Sequence, residues 1–274
     1  MYSPICVGGV GGSGTRLIAN ILKECGLFLG HDLNESTDTL LFTLLFKDPL
    51  FATLTTEEVS SRYNLLKQNL QKQQLNDVQK ELLTECVTHR PLHDCEWLKQ
   101  RAMNANTAPV DNKVQQVWGW KEPNTHVFID KLLELDPSLK YIHVVRNGLD
   151  MAYSSNQNQL KVWGPLFLWR TPEITPEESF NYWCAVHRRI IKIKDSFPER
   201  VHILNYDKFA QKHEQELANF FDFIGLRSLN QKMEPALLAL FSAPSSIGRA
   251  KNEDTSYLTR EGADLLERLG FDSF

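Results

Sequence analysis

The stretch Gly8-Gly9-Val10-Gly11-Gly12-Ser13-Gly14-Thr15-Arg16 brings glycines, two hydroxyls and a guanidinium together, a composition suited to holding an anion. Ile5 to Gly8 form a short apolar run, and Leu17, Ile18, Ile21 and Leu22 fall at helical spacing, so the stretch reads as the loop of a strand-loop-helix unit. In that setting glycines let backbone N–H groups turn toward a phosphate, and the helix N-terminus adds partial positive charge. A Walker A loop needs Lys directly after its last glycine; here Thr15 and Arg16 follow Gly14, which argues against a triphosphatase. Gly9, Gly11 and Gly14 do satisfy G-x-G-x-x-G, with Asp32 or Glu35 about 20 residues on, where a ribose-binding acid would stand. An NAD-type or other nucleotide enzyme, a nucleotide-binding domain without chemistry, and a tight turn without ligand therefore compete for this loop.

A second anion-binding pattern lies mid-chain. Tyr141 to Val145 reads as a strand that runs into Arg146-Asn147-Gly148-Leu149-Asp150 and a helix reaching Ser154. A guanidinium fork and a hydroxyl make a sensible phosphate cradle. On a helix begun at once they would stand roughly 12 Å apart along the axis, so the loop must curl to close part of that gap. The plain alternative is an arginine capping a strand end and a serine on a solvated face.

Taken in order, the two patterns resemble those of the sulfotransferase family, which transfers sulfuryl groups from 3′-phosphoadenosine 5′-phosphosulfate (PAPS). Ser13-Gly14-Thr15 looks like that family's 5′-phosphate loop, which implies nucleotide contacts from Gly11, Gly12, Ser13, Gly14, Thr15 and Arg16. Many members carry a basic residue just before the Ser; this chain has Gly12, and Arg16 would supply the charge. Arg146 and Ser154 have the spacing of the family's 3′-phosphate pair, with Gly148 in place of the usual Pro. Leu204-Asn205-Tyr206-Asp207 resembles the Tyr-Glu pair near the adenine, and Ser246-Ile247-Gly248-Arg249 the late loop that closes over the nucleotide. Tyr206 also reads as a boundary aromatic, and Arg249 as an exposed loop arginine. The resemblance runs from Ile5 to Lys251, leaving 36–113 unmatched.

It implies in-line transfer to an acceptor hydroxyl of a carbohydrate or small molecule, releasing adenosine 3′,5′-bisphosphate and requiring no metal. Charge growing on the leaving oxygen calls for positive groups. Arg16 is one candidate, and Lys121 in Trp118-Gly119-Trp120-Lys121-Glu122-Pro123 is the other, its segment resembling the family's Lys-x-Pro. An exposed lysine paired with an acid is the competing reading. The acceptor hydroxyl needs a general base; Glu35 is preferred over Glu122 and His31, while His143 reads as a packed strand residue. Trp163 to Trp169 reads as an apolar aromatic loop, better explained by core packing than by acceptor contact.

The elements needed to position these groups are legible. Helical, polar residues from about Leu40 to Ala105 form an insertion (about 36–113) that reads as a cap over the active face. Val114 to Trp120 reads as a strand, Phe128 to Leu135 as a helix, Glu177 to Phe197 as a long helix, Val201 to Leu204 as a strand, and Asp207 to Ile224 as one helix capped by Gly225. The expected fold is α/β: a central, mostly parallel sheet with a P-loop-like phosphate loop, flanked by helices, in one domain over 1–274.

Composition sets the outer bounds. A net charge of -4 argues against nucleic acid or anionic membrane as partner, so any phosphate site must be local. Five scattered cysteines, with no CxxC pair and no His/Cys cluster at metal-ligand spacing, read as reduced thiols of a cytoplasmic protein. With no signal-peptide pattern and no run near ~18 apolar residues, a soluble chain is expected.

Overall fold

The computed structural model describes residues 3–87, 92–111, 117–212, 214–226, 239–241 and 245–272. Four parallel strands form the sheet: β1 (Ile5–Gly9), β2 (Gly119–Lys121), β3 (Lys140–Val145) and β4 (Val201–Asn205), in the order β2-β1-β3-β4. The expected α/β fold is thus observed, and the non-sequential order places the helices as crossovers between strands. The chain divides into two units, Met1–Val7 with Ile18–Tyr141, and Gly8–Leu17 with Ile142–Phe274.

In the first unit β1 pairs with β2 in the register Ile5↔Gly119, Cys6↔Trp120, Val7↔Lys121. Strands buried on both faces explain the apolar runs. Gly119 is required sterically, since a Cβ there would stand 1.8 Å from the Ile5 carbonyl oxygen. We expect Gly119→Ala to lose roughly 3 kcal/mol of stability through this overpacking. Urea unfolding checks it; a variant within about 0.5 kcal/mol of the parent would contradict the packing described. Of the expected strand Val114 to Trp120, residues 114–116 lie outside those described; Phe28 bridges Trp118, adding the Leu27–Leu29 segment beside β2.

The helix after the glycine loop is α1 (Thr15–Glu24), with Ile18, Ala19, Ile21 and Leu22 buried. The 36–113 insertion contributes α2 (Leu40–Phe46), α3 (Thr56–Leu70), α4 (Asp77–Glu85) and α5 (Cys95–Asn106). Every residue of α2 is buried, as expected of a helix that is apolar all round but for Thr43. Capping boxes start α3 (Thr55 with Glu58) and α4 (Asn76 with Gln79), satisfying amide groups that the polar sequence would otherwise leave unpaired. Tyr63 on α3 donates to Asp136 at 2.7 Å, just after α6 (Thr125–Leu135), so the insertion is anchored to the strand-bearing part of its own unit.

The second unit is organised by α9 (Pro176–Ser196), whose buried Phe180, Trp183, His187 and Ile190 lie along one face. It packs against α7 (Gly148–Ala152) and α8 (Asn158–Leu168). Two expectations change here. Residues 163–168 are helical, not loop: Trp163 and Gly164 are buried in α8 and Pro165 is carried inside the helix, because packing outweighs the local cost of the proline. The single helix expected over Asp207 to Ile224 is two, α10 (Tyr206–Ala210) and α11 (Glu214–Phe223), separated where Lys212 adopts φ 60. Gly225 takes φ 78 after α11, as its capping role requires. The last helix is α12 (Arg260–Arg268). No helix among the described residues is long and apolar enough to cross a membrane, and all five cysteines are free thiols.

Candidate functional site

In the second unit the glycine loop closes tightly on itself. Ser13 N donates to Val10 O at 3.0 Å, and Gly12 and Gly14 hold φ 90 and φ 92, left-handed values open to glycine. A Cβ on Gly14 would stand 2.1 Å from the Tyr206 ring, so that ring lies directly on the loop. Ser13 is 1% exposed, and its Oγ has no hydrogen-bond partner among the described residues. A buried hydroxyl without a partner costs free energy that an anion in the loop would offset. Thr15 is buried at the start of α1, while Arg16 is exposed. From the side, Gln159 Nε2 donates to Gly9 O at 3.4 Å, and its own Oε1 accepts from Tyr182 at 3.3 Å.

Arg146 comes off β3 toward this loop. Its Nη1 donates to Gly12 O at 3.5 Å and its Nη2 to Ser246 Oγ at 2.6 Å, while Nε lies 3.6 Å from Asp207 Oδ1. The guanidinium carbon lies 5.7 Å from the Tyr206 ring centroid. Trp183 fixes the strand end by donating to Arg146 O at 3.1 Å, and its ring leaves no room for a side chain at Gly148, where a Cβ would come within 2.6 Å. That contact explains glycine at this position. The loop, Arg146, Tyr206 and the Ser246 segment therefore form one polar cluster within one unit.

Ser154 is not where helix continuation would put it. It lies beyond the end of α7, accepting from Asn156 N at 3.2 Å, so the hydroxyl bonded to Arg146 belongs to Ser246. Gly248 (φ 78) and Arg249 follow Ser246, Gly248 capping a short 3₁₀ turn over Arg249–Asn252.

The remaining candidates lie in the first unit. Lys121, 2% exposed at the end of β2, donates to Asp38 Oδ1 at 2.5 Å and Ser36 O at 2.8 Å. Asp38 was not legible as its partner, since only the fold of the 34–39 turn presents it. Glu122 is fully buried, accepting from Asn124 N at 2.5 Å and Nδ2 at 2.7 Å, with Lys47 at 3.7 Å. Burial raises its pKa, opposed by Lys47 and seconded by Asp38. Glu35 is exposed on the turn. His31 is exposed, its ring edge-on to Phe28, and burial of part of the ring followed by the Lys72 charge lowers its pKa. Asp32, the acid expected at a dinucleotide ribose, is instead ion-paired with Arg101 at 2.9 Å.

A family model described as the sulfotransferase family matches residues 4–230. The chain belongs to the sulfotransferase family. It therefore transfers sulfuryl groups. The same fold is seen in the sulfotransferase domain from the curacin biosynthetic pathway, at 14% identity, with 99% of each chain covered and a TM-score of 0.54. The sulfotransferase domain of the Synechococcus PCC 7002 olefin synthase aligns at 15% identity, with 99% and 97% coverage and a TM-score of 0.49. The sulfotransferase STF1 from Mycobacterium tuberculosis H37Rv aligns at 13% identity over 98% of this chain and 77% of that one, with a TM-score of 0.45. No curated protein matches the sequence.

One further group of this sulfotransferase titrates in a useful range. Burial pushes the Asp207 carboxyl up to about 6, against the lowering effects of Arg146 and the Asn147 N–H, with Asp150 adding to the rise. A carboxyl raised on folding binds its proton more tightly in the native state. Its stabilising contribution is therefore complete below the unfolded value and is lost as pH rises through about 6. We expect Asp207→Asn to gain thermal stability relative to the parent as pH goes from about 4 to about 7. A melting-temperature difference that stays flat over that window would contradict the assignment.

Proposed function

We propose that this sulfotransferase draws its sulfuryl group from PAPS and passes it to a hydroxyl of a carbohydrate or small-molecule acceptor. The observation that carries this reading is the placement of Arg146, one guanidinium nitrogen on the glycine-loop carbonyl of Gly12 and another on Ser246. Two groups suited to phosphate thus stand side by side, as a ligand phosphorylated on two positions of one ribose requires. The buried, unpartnered Ser13 hydroxyl and the left-handed Gly12 and Gly14 suit an anion at the loop.

Gly11, Gly12, Ser13, Gly14 and Thr15 would hold the 5′ side, with Arg16 adding charge at the first turn of α1. Arg146, with Ser246 and Ser154, would take the 3′-phosphate, Tyr206 would pack on the nucleoside, and Gly248 and Arg249 would close the late loop. When bound, PAPS supplies a sulfuryl group whose bond to the 5′-phosphate oxygen breaks as an acceptor oxygen bonds the sulfur. Arg16 and Lys121 are our candidates for stabilising charge on the departing oxygen. For the acceptor proton we retain Glu35, His31 and Glu122. Partial burial of the His31 ring, followed by the Lys72 charge, lowers its pKa and so favours the neutral, proton-accepting form. Glu122, with both carboxylate oxygens engaged by Asn124, suits holding the turn after β2.

Calorimetric titration with adenosine 3′,5′-bisphosphate, NAD and ATP in parallel tests the reading. The bisphosphate should bind and the other two should bind at least tenfold more weakly, because only it presents phosphate to both groups. Binding of NAD in preference to the bisphosphate would end the PAPS assignment.

A further inference from the structure

Asp150 is 2% exposed, and each of its carboxylate oxygens accepts a hydrogen bond that its own helix does not need. The N-terminus of α7 is already capped by Asn147 Oδ1, which accepts from Leu149 N at 2.9 Å. The Asp150 carboxylate instead faces a segment about a hundred residues on. Oδ2 accepts from Gly248 N at 2.7 Å and Oδ1 from Ala250 N at 2.9 Å, while the Asp150 carbonyl accepts from Arg249 Nη1 at 3.3 Å. One turn further along, the Tyr153 hydroxyl donates to the Asp254 carbonyl. Ser246, two residues before the first of these tethered amides, is the hydroxyl bonded to Arg146.

Short bonds from backbone amides to a buried carboxylate are charge-assisted and among the stronger ones available. Two of them to alternate residues fix both position and orientation of the backbone between. Gly248 at φ 78 is the conformation that lets both amides converge on one carboxylate. Arg146 and Asp150 leave the same strand-loop-helix segment, so a loop tied to Asp150 is held at a set distance from the guanidinium.

We propose that Asp150 is a positioning residue: its two oxygens hold the 246–250 loop in the conformation that brings Ser246 Oγ onto Arg146, and so assemble the 3′-phosphate clamp. The role assigned to the clamp rests on the PAPS reading; the latch itself does not. Asp150 reaches the nucleotide only through the loop, so its effect on binding is routed through Ser246 and its neighbours.

Two measurements on the full chain test this. Hydrogen exchange reads the latch directly: the Gly248 and Ala250 amides should be protected in the parent and exchange at least tenfold faster in Asp150→Ala, with the amides of α9 unchanged. Asp150→Asn keeps the volume and one acceptor oxygen, and should lie between the two, which also covers the case in which the alanine variant fails to fold. Equal exchange in parent and variants overturns the proposal. The second measurement is a double-mutant cycle on affinity for adenosine 3′,5′-bisphosphate. Asp150→Ala should weaken binding about tenfold in the parent and about twofold in a Ser246→Ala background. Additive losses overturn the routing through Ser246. If the parent binds no bisphosphate, the PAPS reading fails and the exchange experiment still decides the latch.

Discussion

Arg146→Ala is expected to weaken adenosine 3′,5′-bisphosphate binding about 100-fold while weakening adenosine 5′-phosphosulfate binding less than tenfold. The guanidinium is nearly buried, and its neighbours among the described residues include a carbonyl, a hydroxyl, the Asp207 carboxylate and the Tyr206 ring. A 3′-phosphate would lose both the charge and the planar fork that can bond two oxygens at once. Arg146→Lys should recover only part of the loss, because an ammonium keeps the charge but not the fork. Removing the arginine also takes away the main charge opposing the rise of the Asp207 pKa, so the variant should bind a proton at Asp207 more readily than the parent. Calorimetry with both ligands settles the matter: equal losses for the two would show that Arg146 does not contact the 3′ side.

Gly14→Ala is the second large effect, and Gly12→Ala is its internal control. Both glycines have left-handed backbones, so both substitutions incur the conformational cost of about 1 kcal/mol or more. They differ in surroundings. A Cβ on Gly12 meets nothing within 4 Å, whereas one on Gly14 would stand 2.1 Å from the Tyr206 ring. Gly14→Ala must therefore displace an aromatic ring that also lies under Arg146, and should cost roughly 2 kcal/mol more than Gly12→Ala and abolish measurable bisphosphate binding. Adding Tyr206→Ala should return the excess stability loss, though not the backbone part and not the binding. Chemical denaturation of the three variants makes the comparison, and equal stability of the two alanine variants would contradict the ring placement.

Both experiments address residues that sequence patterns singled out, and the limits of those patterns follow a physical line. The glycine loop between a strand and a helix was readable because glycine content and apolar periodicity are local properties. The same holds for β3 running into Arg146, and for α9, whose apolar face repeats over 21 residues. Family membership followed from these local patterns in order. Boundaries failed where packing overrode propensity. Pro165 and the aromatic run suggested a loop at 163–169, yet burying Trp163 and Gly164 makes helix the better solution.

Within the site the same division appears more sharply. Residue type and spacing pointed to Ser13 with its glycines and to Arg146 as phosphate-binding groups, while Tyr206 and the Gly248 loop were reached only through the family resemblance. Tertiary structure decided which of them meet. It placed Ser246 rather than Ser154 on the guanidinium, Asp38 under Lys121, and Asp150 against two amides about a hundred residues away. A hydrogen bond acts over about 3 Å and carries no record in the spacing of distant residues, so these pairings exist only once sheet order and helix packing have brought the segments together.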